Sequence, residues 1–372
     1  MLKIIRSEYA KVALILLASR VLIVLIVALA LKLGAQTAYY RYPDAFPSHP
    51  FWSGFARWDS YFYHDIATAG YTQIKSAAFF PLYPALMNLL GNLVGNVWAA
   101  GLIISNICWL IAGNLFYKLS KLILTPKESL RALFYLSIFP GSIFFSAVYS
   151  ESLFLALALA SIIYYLKRNL WLAGIWGAWA ILARPTGLAL AAALVIAEIW
   201  YYRGRIWKLW HSLQLFLLPL IALIVLFIID WLSIGDPLSF VKAQSFWGRS
   251  FTDPITSFIN SLNRLNEFSN GFNNIELHIS MIATIIVTLL LVKAVGVKYP
   301  AIFYIYAFTA WALALSVGHL HSIIRFIPVI FPVIYYLAHL ANRWWLHYVL
   351  TTIFIIVNSL IAWQFSIWYW AG

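Results

Sequence analysis

Apolar runs of about 20 residues recur along this chain and constrain its fold more than any other feature. The hydrocarbon core of a bilayer is about 30 Å thick, which one helix of that length crosses. Of the 372 residues, 63% are hydrophobic and 10% are charged, whereas water-soluble domains are about 45 to 50% apolar. A single water-soluble core cannot bury such an excess. The sequence therefore predicts an all-α polytopic membrane protein.

About eleven runs fit membrane-spanning helices. They lie at residues 9–31, 97–117, 132–148, 152–166, 170–183, 187–200, 213–232, 277–292, 301–317, 323–340 and 348–367. Because about 14 residues reach only about 21 Å, the two runs between 170 and 200 are alternatively one kinked helix. The prediction is one domain over residues 1–372, with large polar loops at 32–96 and 233–276.

The orientation follows from the basic residues, which are enriched in the cytoplasmic loops of membrane proteins. Residues 79–94 are apolar but contain Pro81, Pro84 and Gly91, and a span there would place the basic turn at 118–131 outside. We therefore predict that residues 79–94 form an interfacial helix. The N-terminus is then cytoplasmic, the first helix is a retained signal anchor, and both large loops face outward. The net charge of +13 is therefore explained by the basic residues of the cytoplasmic loops, and no nucleic-acid partner is expected.

The acidic, basic and aromatic residues best suited to catalysis or ligand binding fall in the predicted outer segments. Trp58, Asp59, His64 and Asp65 directly follow the first span. The others are Tyr149, Glu151, Arg184, Trp247, Arg249, His319, His321 and Arg325. Carboxylates accept hydrogen bonds from hydroxyl groups, and guanidinium groups bind phosphate. The set therefore indicates a site for an anionic, carbohydrate-like or lipid-headgroup substrate.

Nucleotide-binding signatures are absent from the sequence. It contains no G-x-G-x-x-G, no G-x-x-x-x-G-K-[ST] and no D-x-D, and the longest polar segment is too short for a nucleotide-binding domain. An activated sugar at the outer face would therefore have to arrive on a lipid phosphate.

Several short motifs occur in a characteristic order. Trp58-Asp59 is followed by His64 and by Ala-Gly-Tyr at residues 69–71. The later motifs are AFFPLYP (78–84), FFSAVYSESLF (144–154), ARPTG (183–187) and GDPLSFVKAQSFWGR (235–249). Over residues 57–332 this order and spacing resemble the PIG-V family, the GPI mannosyltransferase II type, within the GT-C superfamily of membrane glycosyltransferases.

The resemblance implies a GT-C-like bundle that performs an inverting sugar transfer, typically of mannose, in glycolipid biosynthesis. The donor would be a polyprenyl- or dolichyl-phosphate sugar, and the acceptor a hydroxyl group of a lipid-linked or glycolipid molecule. The membrane would be a prokaryotic plasma membrane or the endoplasmic reticulum, with the site on its outer face. No cofactor and no divalent metal are expected.

The resemblance assigns a role to one candidate residue, and the chemistry of the others suggests theirs. Asp59 matches the catalytic acid of the first outer loop and would act as general base toward the acceptor hydroxyl. Arg184, Arg249 and Arg325 are candidates for binding the donor phosphate. The remaining candidates, for substrate binding, are Trp58, His64, Asp65, Tyr149, Glu151, Trp247, His319 and His321.

Structural alternatives exist for several of these residues. Asp59 is also a favoured N-cap for a helix that begins at Ser60. Arg184 could equally be an outer-interface anchor whose side chain reaches the lipid headgroups. For Trp247 and Arg249, the alternatives are a loop that covers the donor and an amphipathic surface helix.

The alternative function is a transporter or flippase for a lipid-linked or anionic solute. Such proteins contain matched repeats, and none is evident in the sequence. A non-catalytic subunit that stabilises a partner transferase is a third alternative. Arg20 lies deep within the first span and requires a partner. It is expected either to pair with Glu8 or to line a groove for the donor tail.

Overall fold

The computed structural model describes residues 2–34, 45–203, 205–267 and 271–371, and α- and 3-10 helices are the regular structure of these ranges. The α-helices are α1 (Leu2–Leu33), α2 (Pro50–Ser53), α3 (Asp59–Ala69), α4 (Leu82–Val94), α5 (Val97–Ser120), α6 (Pro126–Ile138), α7 (Glu151–Leu166), α8 (Leu170–Ala183), α9 (Thr186–Tyr201), α10 (Gln214–Ile234), α11 (Ser239–Phe246), α12 (Pro254–Glu267), α13 (Gly271–Ala294), α14 (Ala301–Leu315), α15 (Ile323–Phe326), α16 (Pro332–Leu340) and α17 (Trp344–Ser366). The 3-10 helices are Ile74–Ala78, Ser142–Phe145, Ile206–Ser212 and Ile327–Val329.

Five of these helices are long and apolar enough to cross a membrane within the described ranges, namely α1, α5, α10, α13 and α17. The segments Ile323–Val329 and Pro332–Leu340 form one further apolar unit that is bent by 81°. Shorter apolar helices, α4, α7, α8, α9 and α14, accompany them. The prediction of an all-α polytopic membrane protein is confirmed, whereas the count of about eleven spans stays a prediction.

Prolines divide two of the predicted spans. The run at residues 132–148 is not one helix, because α6 ends at Ile138 and Phe139 is extended before Pro140 (φ −56°, ψ 143°). Gly141 then turns the chain with φ +91°. The run at 323–340 is bent by 81° where Pro328 and Pro332 remove backbone donors. Neither run is therefore the single continuous helix that was predicted.

Helices α8 and α9 form a tight antiparallel hairpin. A Cβ atom at Gly187 would lie 2.4 Å from the carbonyl oxygen of Ala180, and one at Gly177 would lie 3.3 Å from Leu194. The two glycines therefore allow close backbone contact along the pair. The alternative of one kinked helix over residues 170–200 is wrong, and Arg184 lies at the turn between the two helices.

Arg20 donates hydrogen bonds to backbone carbonyl groups in the last turn of α6 and just after it. Its guanidinium group donates to the carbonyl oxygens of Ser137 (3.1 Å) and Ser142 (3.0 Å), and it lies 4.5 Å from the ring centroid of Trp109. Carbonyl groups at a helix C-terminus carry partial negative charge and favour a cation. Glu8 contacts Lys121 at 2.8 Å, so the predicted pairing of Arg20 with Glu8 was wrong.

Helix α5 separates the first polar loop from the basic turn. The ring of His64 in α3 stacks on Trp98 at the start of α5, with centroids 4.1 Å apart. Lys121, which follows the last residue of α5, contacts Glu8 near the start of α1. The 24 residues of α5 extend over about 36 Å. Asp59 and the turn at residues 118–131 therefore lie toward opposite ends of the bundle.

Candidate active site

The carboxylate of Asp59 forms a buried ion pair. Asp59 is the first residue of α3, and its Oδ2 atom lies 2.7 Å from Nη1 of Arg325 in α15. Asp59 is 6% exposed and Arg325 is 8% exposed. The side chain therefore points into the protein toward a cation and does not cap its own helix. The N-cap alternative for Asp59 is wrong.

A second ion pair adjoins the first. Glu151 is the first residue of α7, and its Oε1 atom lies 2.6 Å from Nη1 of Arg184 and 3.8 Å from Nε of Arg325. Glu151 and Arg184 are both buried, so the alternative in which Arg184 anchors to the headgroups is wrong. Four charged residues from separated segments thus form one network.

Several atoms of this network lack hydrogen bonds of good geometry to the described side chains and backbone. They are the Oε2 atom of Glu151 and the Nε atoms of Arg184 and Arg325. Most buried polar atoms in folded proteins have a partner, so each atom without one calls for an explanation such as an ordered water or a bound ligand. The network therefore has unused hydrogen-bonding capacity directly beside Asp59.

A cavity of about 570 Å³ opens onto these charges. The predicted site residues that line it are Asp59, Arg184, Trp247, Arg249, His321 and Arg325. Its apolar wall includes Phe79, Phe80, Phe240, Phe251, Leu313 and Phe326. The cavity thus combines a charged floor with a wide apolar wall.

Tyr149 and Trp58 support the Asp59 position. The hydroxyl group of Tyr149 accepts a hydrogen bond from the Asp59 backbone N–H at 3.2 Å. Trp58 has a left-handed backbone (φ 53°), and its Nε1 atom donates to the carbonyl oxygen of Tyr369 at 3.2 Å. Both residues fix the start of α3, and neither contributes to the cavity lining.

Trp247 and Arg249 lie in the loop that follows α11. The Nε1 atom of Trp247 donates to the carbonyl oxygen of Lys75 at 3.3 Å, and its ring packs edge-on against Phe62. Because both residues follow the last residue of α11, the amphipathic-helix alternative is wrong. The loop alternative holds for their position, whereas covering a donor stays a prediction.

Arg249 is the cation of the cavity that has no carboxylate partner among the described side chains. Burial, together with the charge of Arg325, lowers the pKa of Arg249 to about 10. The guanidinium group therefore remains charged at neutral pH. Arg184 and Arg325, by contrast, each contact a carboxylate.

The two predicted histidines have different surroundings. His321 contacts the buried carboxylate of Glu276 at 3.3 Å, and Glu276 also accepts a hydrogen bond from the Ser322 backbone N–H at 3.0 Å. Burial lowers the pKa of His319 to about 4, and its Nε2 atom lies 3.3 Å from the carbonyl oxygen of Trp247. A neutral His319 thus holds the Trp247 loop, while His321 reaches the cavity.

His64 and Asp65 lie outside the cavity lining. His64 stacks on Trp98, and Asp65, whose side chain is 72% exposed, contacts His64 at 3.5 Å. Their predicted role in substrate binding therefore stays a prediction. Arg57, which precedes Trp58, is buried and donates to the carbonyl oxygen of Ser366.

Three further residues belong to the site and were not among the sequence predictions. Tyr63 lines the cavity and lies one helical turn after Asp59, and its hydroxyl group is 2.8 Å from that of Ser150. The helical spacing was the available signal for Tyr63. Trp370 and Glu276 are brought to the site by tertiary packing and carry no comparable local signal.

Comparison with known proteins identifies the family. The family model described as mannosyltransferase (PIG-V) matches residues 14–232. Two curated relatives named GPI mannosyltransferase 2, from two strains of Cryptococcus neoformans var. neoformans serotype D, are each 32% identical over 145 residues. Each match covers 36% of this chain and 34% of the relative, so it spans about a third of the relatives' length.

The family match contains Asp59, Glu151 and Arg184, and the structure adds Arg249 and Arg325 from beyond it to the same site. The motif resemblance noted in the sequence is thereby confirmed. Because the matched residues make up more than half of its length, this chain belongs to the PIG-V mannosyltransferase family.

Proposed function

We propose that this protein is a membrane mannosyltransferase. It moves a mannosyl group, with inversion, from a polyprenyl- or dolichyl-phosphate donor to a hydroxyl group of a glycolipid acceptor. The observation that carries the proposal is the cavity shared by two residues beside an apolar wall: Asp59, a buried carboxylate, and Arg249, a cation with no carboxylate partner among the described side chains. The family match supports the nature of the transferred sugar.

The charges of the site favour an anionic group. The carboxylates of Asp59 and Glu151 face three guanidinium groups, those of Arg184, Arg249 and Arg325. The third carboxylate of the site, that of Glu276, contacts His321, so Arg249 is the cation available to a phosphodiester donor and to the phosphate as it departs. Arg249 is the first candidate for this contact, because the other two arginines already contact carboxylates.

Asp59 is suited to the proton transfer. The acceptor oxygen attacks the anomeric carbon from the side opposite the phosphate, and its proton passes to the Asp59 carboxylate. The bond between the anomeric carbon and the phosphate oxygen breaks, and its electron pair stays on the phosphate. Arg325, whose Nη1 atom lies 2.7 Å from Oδ2 of Asp59, fixes the orientation of the carboxylate. We propose that the arginines supply the positive charge that this step needs, without a divalent metal or another cofactor.

The position of the site fits a donor that lies in the bilayer. The apolar wall, which includes Phe240 and Phe251, offers a surface for a prenyl chain. The site and the basic turn at residues 118–131 lie toward opposite ends of the bundle, and basic residues favour the cytoplasmic side. We therefore place the site on the outer face and the N-terminus in the cytoplasm.

Arg249→Gln is expected to raise the KM for the lipid-phosphate donor by about 10- to 100-fold, because a charged hydrogen bond to phosphate contributes about 1.5–3 kcal/mol. The KM for the acceptor should change little. Lys242→Gln is the matched control, since Lys242 lies on the neighbouring helix α11 and pairs with Asp236. An unchanged donor KM for Arg249→Gln, or an equal rise for Lys242→Gln, would remove Arg249 from the phosphate site.

The proposal is tested with purified protein in liposomes, supplied with polyprenyl-phosphate mannose and a membrane lipid extract. The expected product is a mannosylated lipid detected by mass spectrometry. Polyprenyl-phosphate glucose, run in parallel, tests the choice of sugar. Movement of the donor across the bilayer without any glycosylated product would favour the transporter or flippase alternative.

A further inference from the structure

We infer that Trp370 is a sugar-contacting residue of the cavity, which binds a hexose through its indole face and its Nε1 N–H group. The inference rests on the proposed hexosyl transfer. Trp370 lines the cavity together with Asp59, yet it lies far beyond the residues matched by the family model. The hexose is either the donor sugar or a sugar of the acceptor.

The segment after α17 is fixed against the residues that precede Asp59. Nε of Arg57 donates to the carbonyl oxygen of Ser366 at 3.1 Å, and Nε1 of Trp58 donates to that of Tyr369 at 3.2 Å. The guanidinium group of Arg57 also lies 4.8 Å from the ring centroid of Trp368. These contacts tie the position of Trp370 to that of the Asp59 carboxylate.

Two strained backbone positions accompany this contact. Trp58 and Trp368 have φ angles of 53° and 67°, in a region that bulky residues seldom adopt. Such conformations persist where surrounding contacts enforce them, and they cluster at functional sites. The turn at Trp368 returns the chain toward α3 and brings Trp370 to the cavity.

The indole of Trp370 has an unused donor. Its ring packs edge-on against Trp58, with centroids 5.0 Å apart and an interplanar angle of 79°. Its Nε1 atom is buried and has no hydrogen-bond partner among the described side chains and backbone. A buried indole N–H is normally paired, so this atom points to a polar ligand.

A hexose matches both properties of this side chain. Its hydroxyl and ring oxygens accept hydrogen bonds, while its C–H faces pack on an aromatic ring. A prenyl chain offers no acceptor for the N–H group, and a phosphate has the guanidinium groups of the site as stronger partners. The geometry therefore assigns the sugar, and neither the lipid chain nor the phosphate, to Trp370.

The test compares Trp370→Phe and Trp370→Ala in the full chain, with Trp344→Ala as control because Trp344 is 74% exposed at the other end of α17. Phe keeps a six-membered ring for packing and removes the N–H donor together with the pyrrole part of the indole, so it tests the inference even where Ala impairs folding. We expect Trp370→Phe to weaken sugar binding about fivefold, the effect of one neutral hydrogen bond. Trp370→Ala should weaken it further, and Trp344→Ala should match the wild type.

Two binding probes identify which sugar is bound. Weaker binding of polyprenyl-phosphate mannose with unchanged binding of polyprenyl phosphate would assign Trp370 to the donor sugar. Unchanged donor binding with a higher requirement for the lipid extract would assign it to the acceptor. Wild-type behaviour of Trp370→Phe in both assays would overturn the inference. That result differs from failure of the proposed function, in which the wild type itself forms no mannosylated lipid.

Discussion

Asp59→Asn will lower the rate of mannosyl transfer by about 10²- to 10⁴-fold, the usual contribution of a general base. The amide has nearly the same shape as the carboxylate, but it cannot take the proton of the acceptor hydroxyl. Arg249 is untouched by the change, so binding of the polyprenyl-phosphate donor should persist. Single-turnover transfer and donor binding, measured on the same preparation, separate the chemical step from binding.

Asp65→Asn is the matched control for this variant. Asp65 lies on the same helix, its side chain is 72% exposed, and it is not part of the cavity lining. At saturating substrate, its replacement should leave the single-turnover rate close to that of the wild type, because Asp65 lies outside the cavity, and a role in substrate binding would change the KM instead. Normal turnover by Asp59→Asn would exclude Asp59 as the base, and an equal loss in both variants would point to α3 as a whole.

Glu151→Gln will destabilise the folded protein by about 3 kcal/mol, the lower end of the range for breaking a buried ion pair. The change removes the carboxylate that lies 2.6 Å from Arg184 and 3.8 Å from Arg325. Two buried guanidinium groups then share the single carboxylate of Asp59. The expected readout is a fall of several degrees in the apparent unfolding temperature in detergent.

A double variant separates charge imbalance from a loss of packing. Adding Arg184→Gln to Glu151→Gln removes the uncompensated cation, so part of the lost stability should return. Glu8→Gln is the control, because Glu8 and Lys121 form a partly exposed pair whose loss should cost less than about 1 kcal/mol. A Glu151→Gln variant as stable as Glu8→Gln, or a double variant less stable than Glu151→Gln, would contradict the buried network.

The charged members of the site could be predicted from the sequence because charges are rare in this chain. Asp59, Glu151, Arg184 and Arg325 each stand out beside apolar runs, and a charge in such a position requires a partner. Which carboxylate pairs with which arginine could not be predicted. Asp59 and Arg325 are 266 positions apart, and their pairing depends on how α3 and α15 pack together.

The helix boundaries likewise depend partly on the local sequence and partly on tertiary contacts. The break after Ile138 had a local signal, because Pro140 and Gly141 follow it, but hydrophobicity alone favoured a continuous span. The local sequence signal for the antiparallel arrangement of α8 and α9 was weaker. The close contact at Gly187 in the structure distinguishes this arrangement from one kinked helix. Trp370 had no local signal, since Trp is common in this chain and its contact with Trp58 arises from packing.

The side of the membrane on which the site opens is tested most directly by cysteine labelling. Cys108 is the only cysteine in the sequence, so a Cys108→Ser background accepts single cysteines in the two exposed positions Asp65→Cys and Lys127→Cys. With a membrane-impermeant maleimide, on intact cells for a plasma-membrane location or on sealed microsomes for the endoplasmic reticulum, we expect position 127 to be labelled from the cytoplasmic side and position 65 only from the opposite side. Labelling of both positions from the same side would contradict an outer-face site built around Asp59.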